Sequence, residues 1–144
     1  MADAPAGGPA RPRDGVGVIV LRDGAVLLGR REGVSHGTGT WQFPGGHLEA
    51  FEDVAHCAAR EVMEETGLAV SNLRPGPYTN DIFEADGRHY VTVYVVADAP
   101  TGTPAVCEPA KCAEWRWCDW HHLPEPLFLP IINLRRLGFD PGHA

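Results

Sequence analysis

From Glu52 to Thr66 the chain reads as a helix. Val54, Ala55, Ala58, Ala59 and Val62 recur at helical spacing, neither Pro nor Gly interrupts them, and Gly67 supplies a left-handed stop. The same stretch carries an arrangement that local physics disfavours. Glu61, Glu64 and Glu65 lie three and four residues apart, where like charges cost roughly 0.2–0.5 kcal/mol per pair. Glu64 and Glu65 also fall in the last turn, at the negative end of the macrodipole. No Lys or Arg stands four residues further on, at 65, 68 or 69, to offset the repulsion.

The rest of the chain reads mainly as strands. "VGVIVLR" (16–22) and "AVLLGRR" (25–31) flank Asp23-Gly24, a strong antiparallel hairpin signal. "EGVSHGTGT" (32–40) is a loop, and "WQF" (41–43) is a short extended piece stopped by Pro44-Gly45-Gly46. Beyond the helix, "LAVSNLRP" and "GPYTNDIFEAD" are extended, Asp86-Gly87 makes a second hairpin turn, and residues 88–98 are strongly β in composition. Residues 99–111 are Pro-rich and irregular. "AEWRWCDW" alternates so that Trp115 and Trp117 share one face of a last strand, where a core role outweighs ligand contact. After the turn "WHHLPEP", residues 128–137 form a closing helix with Pro130 in its first turn. The sum is an α/β (α+β) layered fold, a mixed sheet covered by helices.

A chain of 144 residues suits one domain with one core. We read 1–13, rich in Ala, Pro and Gly, as a disordered tail and 14–144 as the domain. The tail has no apolar segment of the secretory type, and no apolar run approaches the roughly 18 residues of a membrane span. The expectation is a soluble, cytoplasmic protein with no membrane partner, whose Cys57, Cys107, Cys112 and Cys118 are free thiols. A zinc site from Cys107, Cys112, Cys118 and His121 lacks the paired spacing of structural zinc sites. A net charge of −7 argues against binding a nucleic-acid polymer. It permits a small phosphorylated substrate, provided cations stand between protein acids and phosphates.

At about 100° per residue the three glutamates span roughly a 100° arc beside the apolar stripe of Val54, Ala55, Ala58 and Val62. An acidic surface face is the plain alternative. A hard divalent cation explains the missing partner charges better, since Mg²⁺ prefers carboxylate oxygens and bridges to phosphates. Gly45 and Gly46, just upstream, allow unusual dihedrals and close ligand approach, and the Gly45 carbonyl could complete a metal shell.

Residues 46–68 resemble the Nudix box, G-x5-E-x7-R-E-U-x-E-E-x-G-U with U aliphatic. Gly46 leads to Glu52, and Glu52 to "REVMEETGL" (60–68), with every defined position matched. The flanks "GVGVIV", "LLGRREG", "WQFPGGHLE", "HYVTVYV", "EPAKCAEWRWCDWHHLP" and "PLF" resemble small MutT-like nucleotide diphosphatases. The resemblance implies a Nudix-type α/β/α sandwich with a mixed central sheet. It also implies an Mg²⁺-dependent hydrolase of nucleoside triphosphates, with Mn²⁺ as a substitute metal. Glu61 and Glu65 would be the principal ligands, Glu64 a further one, and the Gly45 carbonyl and Glu108 additional ones. Arg60 would orient the carboxylates, and Glu52 would support the loop. The proton acceptor stays open among Glu61, Glu65 and Glu108. Arg31 and Gly46 would meet substrate, and Phe128 and Leu129 would stack on the base, with surface or core roles equally open for Arg31, Phe128 and Leu129. Two alternatives stand beside this: a diphosphatase of isoprenoid diphosphates or another nucleoside diphosphate-linked metabolite, and a non-catalytic nucleotide-binding module. By resemblance alone the chain would form a homodimer.

Overall fold

The computed structural model describes residues 11–33 and 36–143. Seven strands form one mixed sheet: β1 Arg13–Arg22, β2 Ala25–Arg31, β3 Trp41–Gln42, β4 Gly45–His47, β5 Ser71–Phe83, β6 Arg88–Asp98 and β7 Cys112–Asp119. Two α-helices, α1 Val54–Thr66 and α2 Leu129–Arg136, cover its two faces, giving the α/β/α sandwich. The main strand order is β3-β2-β1-β6-β5, with β4 added to β1 and β7 to β2. Among the named strands of the described residues, β1 and β6 are the pair that runs parallel, from Arg13 opposite Tyr90 to Leu21 opposite Asp98. Most of the expected disordered tail, residues 1–10, lies outside the described residues, and β1 already begins at Arg13.

The Asp23-Gly24 turn forms, with both residues at positive φ, as a tight hairpin of this kind requires. The pairing it closes is short, however. β1 and β2 match only at Leu21–Val26 and Arg22–Ala25, after which β1 turns to β4 and β2 to β7. Pro44-Gly45-Gly46 does not end the extended piece: Gly45, Gly46 and His47 pair with Gly17, Val16 and Gly15. Neither Gly45 nor Gly46 takes a positive φ, so the two glycines serve close approach and not unusual dihedrals. A Cβ on Gly45 would stand 2.1 Å from the Val16 carbonyl oxygen, and one on Gly46 would stand 2.3 Å from Glu61 Cδ.

Alternation along β1 divides the core in two. Val16, Val18 and Val20 face α1 and meet Cys57, Ala58 and Val62, with Trp115 and Trp117 packed against that layer. Ile19 faces α2 and meets Tyr94, Val96, Ile131 and Leu134. Both tryptophans therefore serve packing. Asp53 caps α1 by accepting a hydrogen bond from Ala55 N–H at 3.1 Å, and Gly67 ends the helix at φ 75°. All four cysteines are free. No helix formed by the described residues is long and apolar enough to cross a membrane.

Candidate active site

α1 lies against β4 and β1. This places Glu61 over Gly46, and it places Glu65 where its Oε2 accepts the Gly45 N–H at 2.8 Å. The two carboxylates stand at one end of a cavity of about 540 Å³, within the usual range for small-molecule sites. Burial raises the Glu65 carboxyl to about 8, reinforced by the charges of Glu61 and Glu108 and opposed by the Gly45 N–H. Glu61 is also raised, chiefly by burial, although Arg60 opposes the shift.

Arg60 organises this end. Its Nε donates to Glu52 Oε2 at 2.8 Å and its Nη2 to Glu52 Oε1 at 2.9 Å, while its Nη1 reaches Glu61 at 2.9 Å and Glu64 at 3.4 Å. This two-pronged bond holds Glu52 far below the usual carboxylate range and raises Arg60 in turn. The helix therefore does contain a cation for its acidic turn, placed before it at i−4 of Glu64. A cation at i+4 is absent, and the one at i−4 takes its place. Arg60 offsets the charge of Glu64 and Glu61 but does not reach Glu65.

Glu64 is half-exposed and lines the same cavity. Glu108, from the irregular segment before β7, joins it, with Lys111 Nζ at 3.9 Å. Among the described residues, no three His, Cys, Asp or Glu side chains stand close enough to hold an ion as they are arranged. The donor set nonetheless suits a hard divalent cation. Glu61 and Glu65 offer oxygen donors, and both resist charging when no cation is present.

The remaining walls are aromatic and come from distant parts of the chain. Phe83 of β5, Tyr90 of β6, His36 and Phe128 meet there, with ring centroids 5.0 Å apart for His36–Phe83 and 5.3 Å for Phe83–Phe128. Arg31 lies 4.1 Å over the Phe128 ring, donating from Nη1 to Gln42 Oε1 at 2.5 Å and from Nε and Nη2 to the His36 carbonyl. Burial lowers its pKa from the ordinary arginine value. An arginine has five N–H groups, so these bonds leave donors for a phosphate. Leu129, the first residue of α2, does not line the cavity, whereas Pro130 and Ile131 do. Phe83, Tyr90, Thr92 and His36 carry no sequence signal of a site, because only the pairing of β6 with β1 and of β5 with β6, and the loop between β2 and β3 that carries His36, bring them to it.

The family model for the NUDIX domain matches residues 11–135. A "Putative 8-oxo-dGTP diphosphatase 3" of Mycobacterium tuberculosis is 38% identical over 95 residues, covering 65% of this chain but only 43% of that protein. An "RNA pyrophosphohydrolase" of Novosphingobium aromaticivorans is 28% identical over 91% of this chain and 90% of its own length. Among solved structures, a MutT NUDIX hydrolase from Burkholderia pseudomallei matches with a TM-score of 0.79 at 33% identity, covering 88% of this chain and 98% of that one. With the box glutamates gathered beside Gly45 and Gly46 in the same sandwich, the chain belongs to the NUDIX family and is a MutT-like member of it.

Proposed function

We propose that the chain is a divalent-metal-dependent pyrophosphohydrolase converting nucleoside triphosphates to the monophosphate and pyrophosphate, with modified nucleotides such as 8-oxo-dGTP as first candidates. One observation carries the reading: a single cavity joins the paired carboxylates Glu61 and Glu65 to aromatic walls, with Arg31 among its lining residues. Carboxylates alone would repel a triphosphate. Bound Mg²⁺ or Mn²⁺ would neutralise the phosphates and favour hydroxide as attacking group. Glu61 and Glu65 would hold it, with Glu64, Glu108 and the Gly45 carbonyl as further oxygen donors. Arg60, itself held by Glu52, fixes Glu61 directly, Arg31 binds a phosphate oxygen, and Phe83, Tyr90 and Phe128 seat the base. A carboxylate among Glu61, Glu65 and Glu108 accepts the proton of the attacking water. The relative named for 8-oxo-dGTP supports the substrate class, and the one named for RNA adds a 5′-triphosphate end as a comparison.

The aromatic walls also suit an apolar prenyl chain, which keeps isoprenoid diphosphates as a second reading. A screen of dGTP, 8-oxo-dGTP, dCTP, a 5′-triphosphate RNA and geranyl diphosphate, with Mg²⁺ or Mn²⁺ and detection of both products, separates these readings. Turnover of geranyl diphosphate alone would remove the nucleotide assignment. Glu61→Gln and Glu65→Gln are each expected to lower kcat at least ~10²-fold. Unchanged turnover of either variant at saturating metal would remove it from the metal and proton-transfer roles.

A further inference from the structure

Beyond the acidic end, the cavity reaches the α2 side of the sheet, where Thr92 and Ile131 line it. Its floor there is a stretch of β1 with few side chains. A Cβ on Gly15 would lie 3.7 Å from Thr92 Oγ1, and one on Gly17 would lie 2.8 Å from the Tyr94 ring. Thr92, largely buried, lines the cavity beside this stretch. Behind Thr92 is a carboxyl group that the hydrolytic machinery does not use. Asp81 is completely buried. Its Oδ2 accepts from Thr92 Oγ1 at 2.6 Å and from Thr79 Oγ1 at 3.1 Å, and its Oδ1 accepts from Asn133 Nδ2 of α2 at 2.9 Å.

A hydroxyl has one proton and two lone pairs. At 2.6 Å the Thr92 proton is committed to Asp81, so Oγ1 can offer the cavity only lone pairs. Among the described residues no donor hydrogen-bonds to Thr92 Oγ1. Asn133 meanwhile ties α2, which brings Pro130 and Ile131 to the cavity, to the same carboxyl group.

We propose that Asp81 is a positioning residue that sets the polarity of the base-reading end of the site: it makes Thr92 Oγ1 an obligate acceptor, so that the site selects nucleobases presenting a ring N–H, the guanine type, over those presenting a bare ring nitrogen, the adenine type. This rests on the nucleotide reading above and deepens it. A site built to hydrogen-bond a donor rejects an analogue lacking it, because its own acceptor is then left buried and unpaired. Asp81→Asn keeps the shape but can turn an amide N–H toward Thr92. That frees the hydroxyl proton to point into the cavity and relaxes the preference.

The test compares dGTP with dATP in turnover, and dGMP with dAMP in metal-free calorimetric binding, for the wild type, Asp81→Asn, Thr92→Val and Thr92→Ser. Wild type should favour guanine in both assays. Asp81→Asn and Thr92→Val should each lower the guanine-to-adenine ratio of kcat/KM at least ~10-fold, the change residing in KM, and Thr92→Ser, which keeps the hydroxyl, should restore it. A purely structural Asp81 would instead weaken both bases equally and leave the ratio unmoved. That result, or a wild type indifferent to the two bases, overturns the proposal while leaving phosphoanhydride hydrolysis standing. If Asp81→Asn does not fold, the Val and Ser pair at Thr92 decides. Absence of turnover with every nucleotide would instead remove the underlying function.

Discussion

Two adjacent glycines, identical in type and both in β4, have different work to do. A methyl on Gly45 would meet backbone, 2.1 Å from the Val16 oxygen and 3.1 Å from Gly17 Cα, so β4 would have to part from β1. A methyl on Gly46 would meet only the Glu61 carboxylate, the end of a flexible side chain. Gly45→Ala should therefore cost about 2 kcal/mol of stability, in the range of overpacked sites. Gly46→Ala should leave the melting temperature nearly unchanged but lower turnover ~10²-fold, because a displacement of about 1 Å at a reacting centre has that effect. Thermal melts and kcat on the two variants check the contrast. Equal losses of stability would mean that Glu61 cannot move aside. The same contact explains why the box needs Gly at 46: the carboxylate occupies the space of the missing side chain.

At the scale of elements, α1 is set by its own ends. Asp53 accepts from Ala55 N–H, and Gly67 N–H closes on the Met63 carbonyl. Asp53→Ala should lower stability by about 1 kcal/mol, read as a melting temperature about 3 °C lower, with α1 otherwise intact. Such local causes make the helix legible in the sequence, whose pattern spans Glu52–Thr66 where the structure has Val54–Thr66. The acidic turn was legible for the same reason, all its members lying on one helix. β4 was not, because Gly-Gly has no strand preference and the element exists only through pairing with β1. Nor was the short register of β1 with β2, since the Asp23-Gly24 turn fixes the reversal but not how soon each strand takes another partner. The aromatic walls and the Asp81 network join β5, β6 and α2 across more than fifty residues of chain, and no local pattern announces such a meeting.

For the whole molecule, the acidic end makes stability depend on pH and on metal in opposite senses. Glu65 titrates near 8 in the folded, metal-free protein because burial disfavours its charge, whereas in the unfolded chain it returns to an ordinary glutamate value near 4.5. Between those two values the folded state holds a proton that the unfolded state has released. Stability is therefore greatest below the unfolded value and is lost as pH rises, levelling off above about 8. Glu61, raised in the same direction, adds to the slope. The paired acids Glu52 and Asp98 act oppositely, but their folded values lie below the ordinary range, so their contribution changes only in more acidic solution. His36 and His47, whose pKa values burial lowers, oppose the fall, but only below the ordinary imidazole value of 6.5. From pH 6.5 to 8 in EDTA the melting temperature should thus fall, and Glu65→Gln, which has no charge to bury, should flatten the fall and be the more stable protein at pH 8. Adding Mn²⁺ or Mg²⁺ should reverse the trend in the wild type. A cation binds the carboxylates only after their protons leave, so its stabilisation grows with pH over the same interval and proton release accompanies binding. Melting curves with and without metal at each pH, together with calorimetry in two buffers of different ionisation enthalpy to count released protons, measure both effects. A metal-free melting temperature that rises with pH, or a Glu65→Gln protein with the wild-type slope, would show that the buried carboxyl does not govern this end of the cavity.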